Sequence, residues 1–130
     1  MEKFSKLIFA MLFLPAFSFA AEKLPECTEK HPVAVVTAKQ PEFIVRLSSN
    51  PTTGYRWFLK NADSGVTPMD MKFLPSTAKK LVGAPGEELW HFRISPGFLT
   101  VPRQFSLQMV YARAFEAGQA ESHICEIFSL

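Results

Sequence analysis

A two-residue alternation of apolar and polar side chains runs through most of this chain, and that period constrains the fold more than any other feature. Successive side chains of a strand point to opposite faces, so alternation builds a half-buried sheet, whereas a surface helix needs apolar residues three and four apart. Beyond the N-terminal segment no long pattern of the helical kind occurs. Seven strands are predicted, at residues 33–38, 42–48, 55–60, 69–74, 88–94, 104–111 and 122–128. In the second, Phe43, Val45 and Leu47 oppose Arg46 and Ser48. The third puts Tyr55, Trp57 and Leu59 on one face, and the fourth sets Met69, Met71 and Phe73 against Asp70 and Lys72. In the fifth, Trp90, Phe92 and Ile94 oppose His91 and Arg93, and in the sixth Phe105, Leu107, Met109 and Tyr111 share a face. The last strand leaves two inward faces open, Ile124 with Phe128 or Cys125 with Ile127. Breakers at 38–41, 61–68, 95–97 and 117–118 separate the strands, and Gly83, Pro85 and Gly86 mark 75–87 as loop. Short strands at this spacing predict an all-β, immunoglobulin-like antiparallel β-sandwich, with Trp57, Trp90, Phe92 and Phe105 in its core.

The first twenty residues read as a signal peptide outside that fold. Lys3 and Lys6 supply a positive start, residues 7–17 are apolar, and Ser18-Phe19-Ala20 places small residues where a signal peptidase cuts before Ala21. The apolar run is well short of the roughly 20 residues of a membrane-spanning helix. Residues 21–130, about 110, suffice for one domain and not for two. The formal charge of +2 falls to about +1 without Lys3, Lys6 and Glu2, and no basic cluster remains. Nucleic acid is therefore not expected as a partner, nor is a membrane once the leader is gone. The expected address is the periplasm or the medium.

Cys27 and Cys125 stand near opposite ends of the exported chain. In an oxidising compartment an even pair is expected to form a disulfide, and closing so long a loop is worth up to about 4.7 kcal/mol in the chain-entropy model. The alternative is a catalytic thiol served by His31, His91 or His123. Neither cysteine has a nucleophile motif around it.

The run Asn50-Pro51-Thr52-Thr53-Gly54-Tyr55-Arg56-Trp57 is a turn written in strong local chemistry. Asn50 is suited to bond its own backbone, Pro51 pre-sets φ at the first turn position, and Gly54 permits φ > 0, which exposes two threonines at the tip. Proline between Asn50 and Thr52 rules out glycosylation there. If strands alternate up and down, the connections at 49–54, 75–87 and 112–120 emerge at the same end. They carry Pro-Thr-Thr-Gly, then Gly83-Ala84-Pro85-Gly86, then Arg113-Ala114-Phe115. Loops on a rigid sandwich are where binding surfaces are built, and Arg and aromatic residues are enriched at interface hot spots.

These residues resemble the chagasin-type inhibitors of papain-like cysteine peptidases. The segment from Asn50 to Trp57 is similar to the first signature of that family. Gly83-Ala84-Pro85-Gly86 running into Trp90-His91-Phe92 is similar to the second, and Arg113-Ala114-Phe115 stands where the family typically has Arg-Pro-Trp. The resemblance extends from Val33 to Phe128. It implies a reversible, non-covalent inhibitor whose three loops straddle the cleft of papain-like cysteine peptidases. Thr52-Thr53 would plug the cleft, Gly54 would allow close backbone approach, Asn50, Pro51 and Tyr55 would join that contact with the peptidase, and residues 83–86 would lie along the substrate-binding side. Arg113, Ala114 and Phe115 would cover the opposite rim. The phenylalanine lacks the indole N–H of the family's tryptophan and offers less contact area.

An enzyme would need a constellation that the chain does not offer. His31, His91 and His123 are scattered, no spacing matches a zinc site, and Glu87-Glu88 is read as an ordinary charged loop end. No cofactor and no metal are expected, and the chain is expected to act as a monomer. The alternative function is an exported immunoglobulin-like binding module without a peptidase target, such as an adhesin or an envelope assembly factor.

Overall fold

The alternating stripes meet across two four-stranded sheets in the computed structural model, which describes residues 23–76, 85–116, 118 and 121–130. The strands are β1 (Glu26–Thr28), β2 (Val33–Val36), β3 (Glu42–Ser49), β4 (Tyr55–Ala62), β5 (Val66–Pro75), β6 (Gly86–Ile94), β7 (Arg103–Arg113) and β8 (Glu121–Ser129). One sheet has the order β1-β3-β6-β5 and the other β2-β8-β7-β4. Most sequential strands cross between the two, while β5 with β6 and β7 with β8 remain neighbours within one sheet, as in an immunoglobulin-like sandwich. Two features depart from the sequence-based expectation. A short eighth strand, β1, lies in what reads as a polar lead-in, because three residues are too few to show a period. The two N-terminal strands also pair in parallel, β1 with β3 and β2 with β8, while every other pairing is antiparallel.

The predicted faces locate the core. Phe43, Val45 and Leu47 from β3 and Phe92 and Ile94 from β6 meet Phe105, Leu107 and Met109 from β7 and Trp57 from β4. Phe43 and Phe92 are cross-strand partners, and their rings stack at 5.4 Å. The open choice in β8 resolves to Cys125 and Ile127 inward, with Ile124 and Phe128 outward. Met69 is a correction. The register slips between Pro68 and Asp70, and this bulge turns Met69 to solvent while Met71 and Phe73 stay half-buried. Trp90 is half-buried against the core rather than within it.

Cys27 on β1 is disulfide-bonded to Cys125 on β8, so the bridge joins the edge of one sheet to an interior strand of the other. Both residues are completely buried. At the end of the sandwich marked by the tight Asp63-to-Val66 turn, Gly65 has φ +91 and packs under the ring of Phe98, the last residue of the short 3₁₀ turn at Pro96–Phe98.

Candidate functional site

Strand register brings the three connections to one end. Ser49 pairs with Gly86, Gly86 with Pro75, Tyr55 with Arg113, and Tyr111 with Glu121. The chain leaving β3 at Asn50, leaving β5 after Pro75 and leaving β7 after Arg113 therefore departs from the same edge of the sandwich. Gly83 and Ala84 lie outside the described residues. Pro85 is exposed, whereas Gly86 is buried as the first residue of β6. Gly86 is required by close packing: a Cβ there would overlap the carbonyl oxygen of Leu74 and lie 2.5 Å from the ring of Phe73.

The first loop is a single 3₁₀ turn, Pro51–Thr53, closed by Gly54 at φ +81. Its exposed tip is tied down by its own polar groups. The amide of Thr53 donates to the carbonyl of Asn50 at 3.2 Å and that of Gly54 to the carbonyl of Pro51 at 3.0 Å. The Thr52 hydroxyl donates to Oδ1 of Asn50 at 2.6 Å, and the Thr53 hydroxyl to the Asn50 carbonyl at 2.7 Å. The Thr53 Oγ1 in turn accepts from the amide of Tyr55 at 3.3 Å. Both threonine hydroxyls are thus engaged within the loop, and the turn is preorganised.

Arg113 couples this loop to the third. Its Nε donates to the carbonyl of Thr53 at 3.0 Å, its guanidinium sits 4.6 Å over the ring of Tyr55, and its Nη1 reaches Glu116 at 3.3 Å. The stack continues inward, with Tyr55 to Tyr111 at 5.4 Å and Tyr111 to Trp57 at 5.0 Å. The Tyr111 hydroxyl accepts from the amide of Asn50 at 3.0 Å, so a β7 side chain holds the start of the turn. Beyond Ala114, Phe115 is fully exposed at φ +70, a backbone region that a bulky residue rarely occupies.

Glu88 corrects the sequence-based assignment of Glu87-Glu88 as an ordinary loop end. It is 1% exposed, and its Oε2 accepts from the Ser49 hydroxyl at 2.6 Å and from the amide of Trp57 at 3.3 Å. The Trp57 indole donates to the carbonyl of Ser48 at 2.8 Å. The two stems of the first loop are clamped together beneath its tip. The signal was present, since Glu88 is in phase with Trp90, Phe92 and Ile94. Glu87 points the other way and pairs with Arg46 at 2.6 Å, and Arg46 also holds Glu26 at 2.9 Å. The Arg46 hydrogen bond holds the Glu26 carboxyl below its ordinary value, and Glu26 and Glu87 together raise Arg46. On the disulfide side, burial pushes His123 below its ordinary value. Among the described residues, no group of His, Cys, Asp and Glu could hold a metal ion, and no helix is long and apolar enough to cross a membrane.

An exposed, internally braced turn at the same end of the sandwich as an exposed aromatic suits insertion into another protein's cleft. Comparison with known proteins agrees. The sequence profile described as Chagasin family peptidase inhibitor I42 matches residues 37–127. The chain belongs to the chagasin family of peptidase inhibitors. Chagasin-family membership makes it an inhibitor of papain-like cysteine peptidases and not an enzyme. The fold is shared with the crystal structure of the cysteine protease inhibitor EhICP2 from Entamoeba histolytica. The TM-score is 0.61 at 17% identity, covering 82% of this chain and 95% of that one. It is shared also with the solution structure of amebosin, with a TM-score of 0.61 at 16% identity, covering 84% of this chain and all of the other. No curated protein sequence matches.

Proposed function

We propose that this chagasin-family domain inhibits by occluding the peptidase cleft with the three connections at one end of its sandwich. Thr52-Thr53 is the central wedge, the connection around residues 83–86 lies along the substrate-binding side, and Phe115 covers the opposite rim. The observation that carries this is the bracing of the first loop. Both threonine hydroxyls, the carbonyls of Asn50, Pro51 and Thr53 and the amides of Asn50, Thr53 and Gly54 are bonded within the turn or to Tyr111 and Arg113. A loop already fixed in shape loses little conformational entropy on docking, which favours tight binding over a modest contact area. Arg113 serves this end from within by holding Thr53 and Tyr55.

Export completes the proposal. Residues 1–20 are a signal peptide, residues 21–130 are the inhibitor domain, and the Cys27–Cys125 disulfide supports an oxidising compartment. The inhibitor acts as a monomer on papain-like peptidases of the producer or of a host. Purified 21–130 protein titrated against papain and a cathepsin L-like enzyme, with a serine protease as control, should inhibit only the first two, reversibly. Failure to inhibit either at micromolar concentration would overturn the cleft-occlusion model in favour of a binding module for another partner. Intact-mass analysis of exported protein should show a chain beginning at Ala21.

A further inference from the structure

Glu88 poses a physical question that the fold alone does not answer. A fully buried carboxyl group sits in the apolar stripe of β6, two residues before Trp90, where leucine or valine would pack without burying polar oxygens. Its Oε2 takes both hydrogen bonds, from Ser49 and Trp57, while Oε1 has no partner among the described residues. As a pure core element this is a poor arrangement, because a buried acceptor left unsatisfied destabilises. What the carboxylate does is geometric. Ser49 is the last residue of β3, in one sheet, and Trp57 belongs to β4, in the other. The first loop spans the gap between those two strands, so its stems belong to separate sheets with no ladder between them to set their spacing. Glu88 bridges them from a third strand, and that strand also carries the end of the second connection.

We propose that Glu88 is a positioning residue for inhibition: its carboxylate sets the separation and register of the two stems of the Pro51–Thr53 turn across the sandwich, and so holds Thr52-Thr53 in binding shape. This rests on the first loop being the inhibitory wedge. Hydrogen bonding at two stems fixes both position and direction, which apolar packing, being non-directional, does not.

The test uses the 21–130 protein with four variants, each measured by thermal melt, by inhibition constant against papain, and by amide hydrogen exchange in Thr53, Gly54 and Tyr55. Glu88→Leu removes the clamp without opening a cavity. It is expected to melt somewhat below the wild type, because the buried Ser49 hydroxyl and Trp57 amide lose their acceptor, while inhibition weakens by about ten- to a hundredfold at temperatures where the protein is folded and the loop amides lose protection. Glu88→Asp keeps the carboxyl group but is one methylene short, and should behave like Glu88→Leu in inhibition and exchange. Glu88→Gln keeps the reach and one carbonyl acceptor for Ser49 and Trp57, and should restore inhibition to within a few-fold of wild type. Ser49→Ala should give an intermediate loss. Should Glu88→Leu not fold, the contrast between Glu88→Asp and Glu88→Gln decides. Folded Glu88→Asp or Ser49→Ala protein with wild-type inhibition and wild-type loop exchange would overturn the proposal. If the wild-type protein inhibits no papain-like enzyme, the wedge model fails on its own. The exchange data then still report whether Glu88 orders the loop.

Discussion

Gly54 and Thr52 divide the demands on the first loop between conformation and shape. At φ +81 a β-branched residue is strained whatever the space around it, and a Cβ at this position would meet only the Arg113 side chain at ordinary contact distance. Gly54→Val should therefore distort the turn without disturbing the core. Inhibition is expected to fall roughly 30-fold or more, the loss typical of a central hot spot. Thr52→Arg should block cleft entry outright, and Phe115→Ala should cost under about tenfold as a rim truncation. Inhibition constants with melting temperatures as the folding check decide, and folded Gly54 and Thr52 variants that inhibit unchanged would count against the wedge. A separate residue-scale prediction concerns acid. Burial lowers the folded-state value of His123, so the unfolded chain takes up a proton first as pH falls below 6.5. Stability from this group is full above that value and declines below it until the folded-state value is reached. His123→Gln should flatten the melting temperature between about pH 7.5 and 5. Glu26, held low by Arg46, loses its contribution only further down, as pH falls through its depressed value below 4.5.

Two glycines separate the ends of the sandwich at the scale of elements. Gly86 lets β5 lie close on β6 at the base of the second connection, with Leu74 and Phe73 occupying the space a side chain would need. Gly86→Ala should push β5 outward, destabilising by about 1–3 kcal/mol, and should also weaken inhibition because it shifts a loop stem. Gly65 lies at the other end, at φ +91 with Phe98 2.6 Å from where a Cβ would sit. Gly65→Ala should destabilise by a similar amount yet leave inhibition unchanged at temperatures where the protein is folded. Equal effects of the two substitutions on the inhibition constant would show that stability, and not loop placement, governs binding.

For the whole molecule, the Cys27–Cys125 bridge adds a covalent link between two sheets that are otherwise held by core packing and by hydrogen bonds such as those of Trp57 to Glu88 and Ser48. Replacing both cysteines with alanine is expected to lower stability by about 2–5 kcal/mol. Inhibition at low temperature should persist, because neither cysteine touches the loop end. Denaturant melts with parallel inhibition assays test this, and loss of inhibition in a variant that is still folded would place the bridge within the binding machinery.

Alternation alone identified the sandwich, because the core stripes of β3, β6 and β7 are regular enough for the inward face to be read from order along the chain. The backbone of the turn from Asn50 to Gly54 was equally legible, being local: proline and glycine set its dihedrals before any tertiary contact forms. The Asn50 Oδ1, however, takes the Thr52 hydroxyl and makes no capping bond to the turn's backbone. Other features depended on contacts between residues far apart in sequence. The β1 strand exists only because Cys27 pairs beside Val45 and bonds to Cys125. Met69 left the core through a bulge that no periodicity announces. Arg113 bonds across to Thr53, Tyr111 to Asn50, and Glu88 to both stems of the first loop. The sequence by itself determined which residues face inward and where the chain turns, since those follow from one-dimensional order and backbone preference. Only the tertiary structure decided how the turns are held against one another, because that depends on side-chain geometry between strands of different sheets.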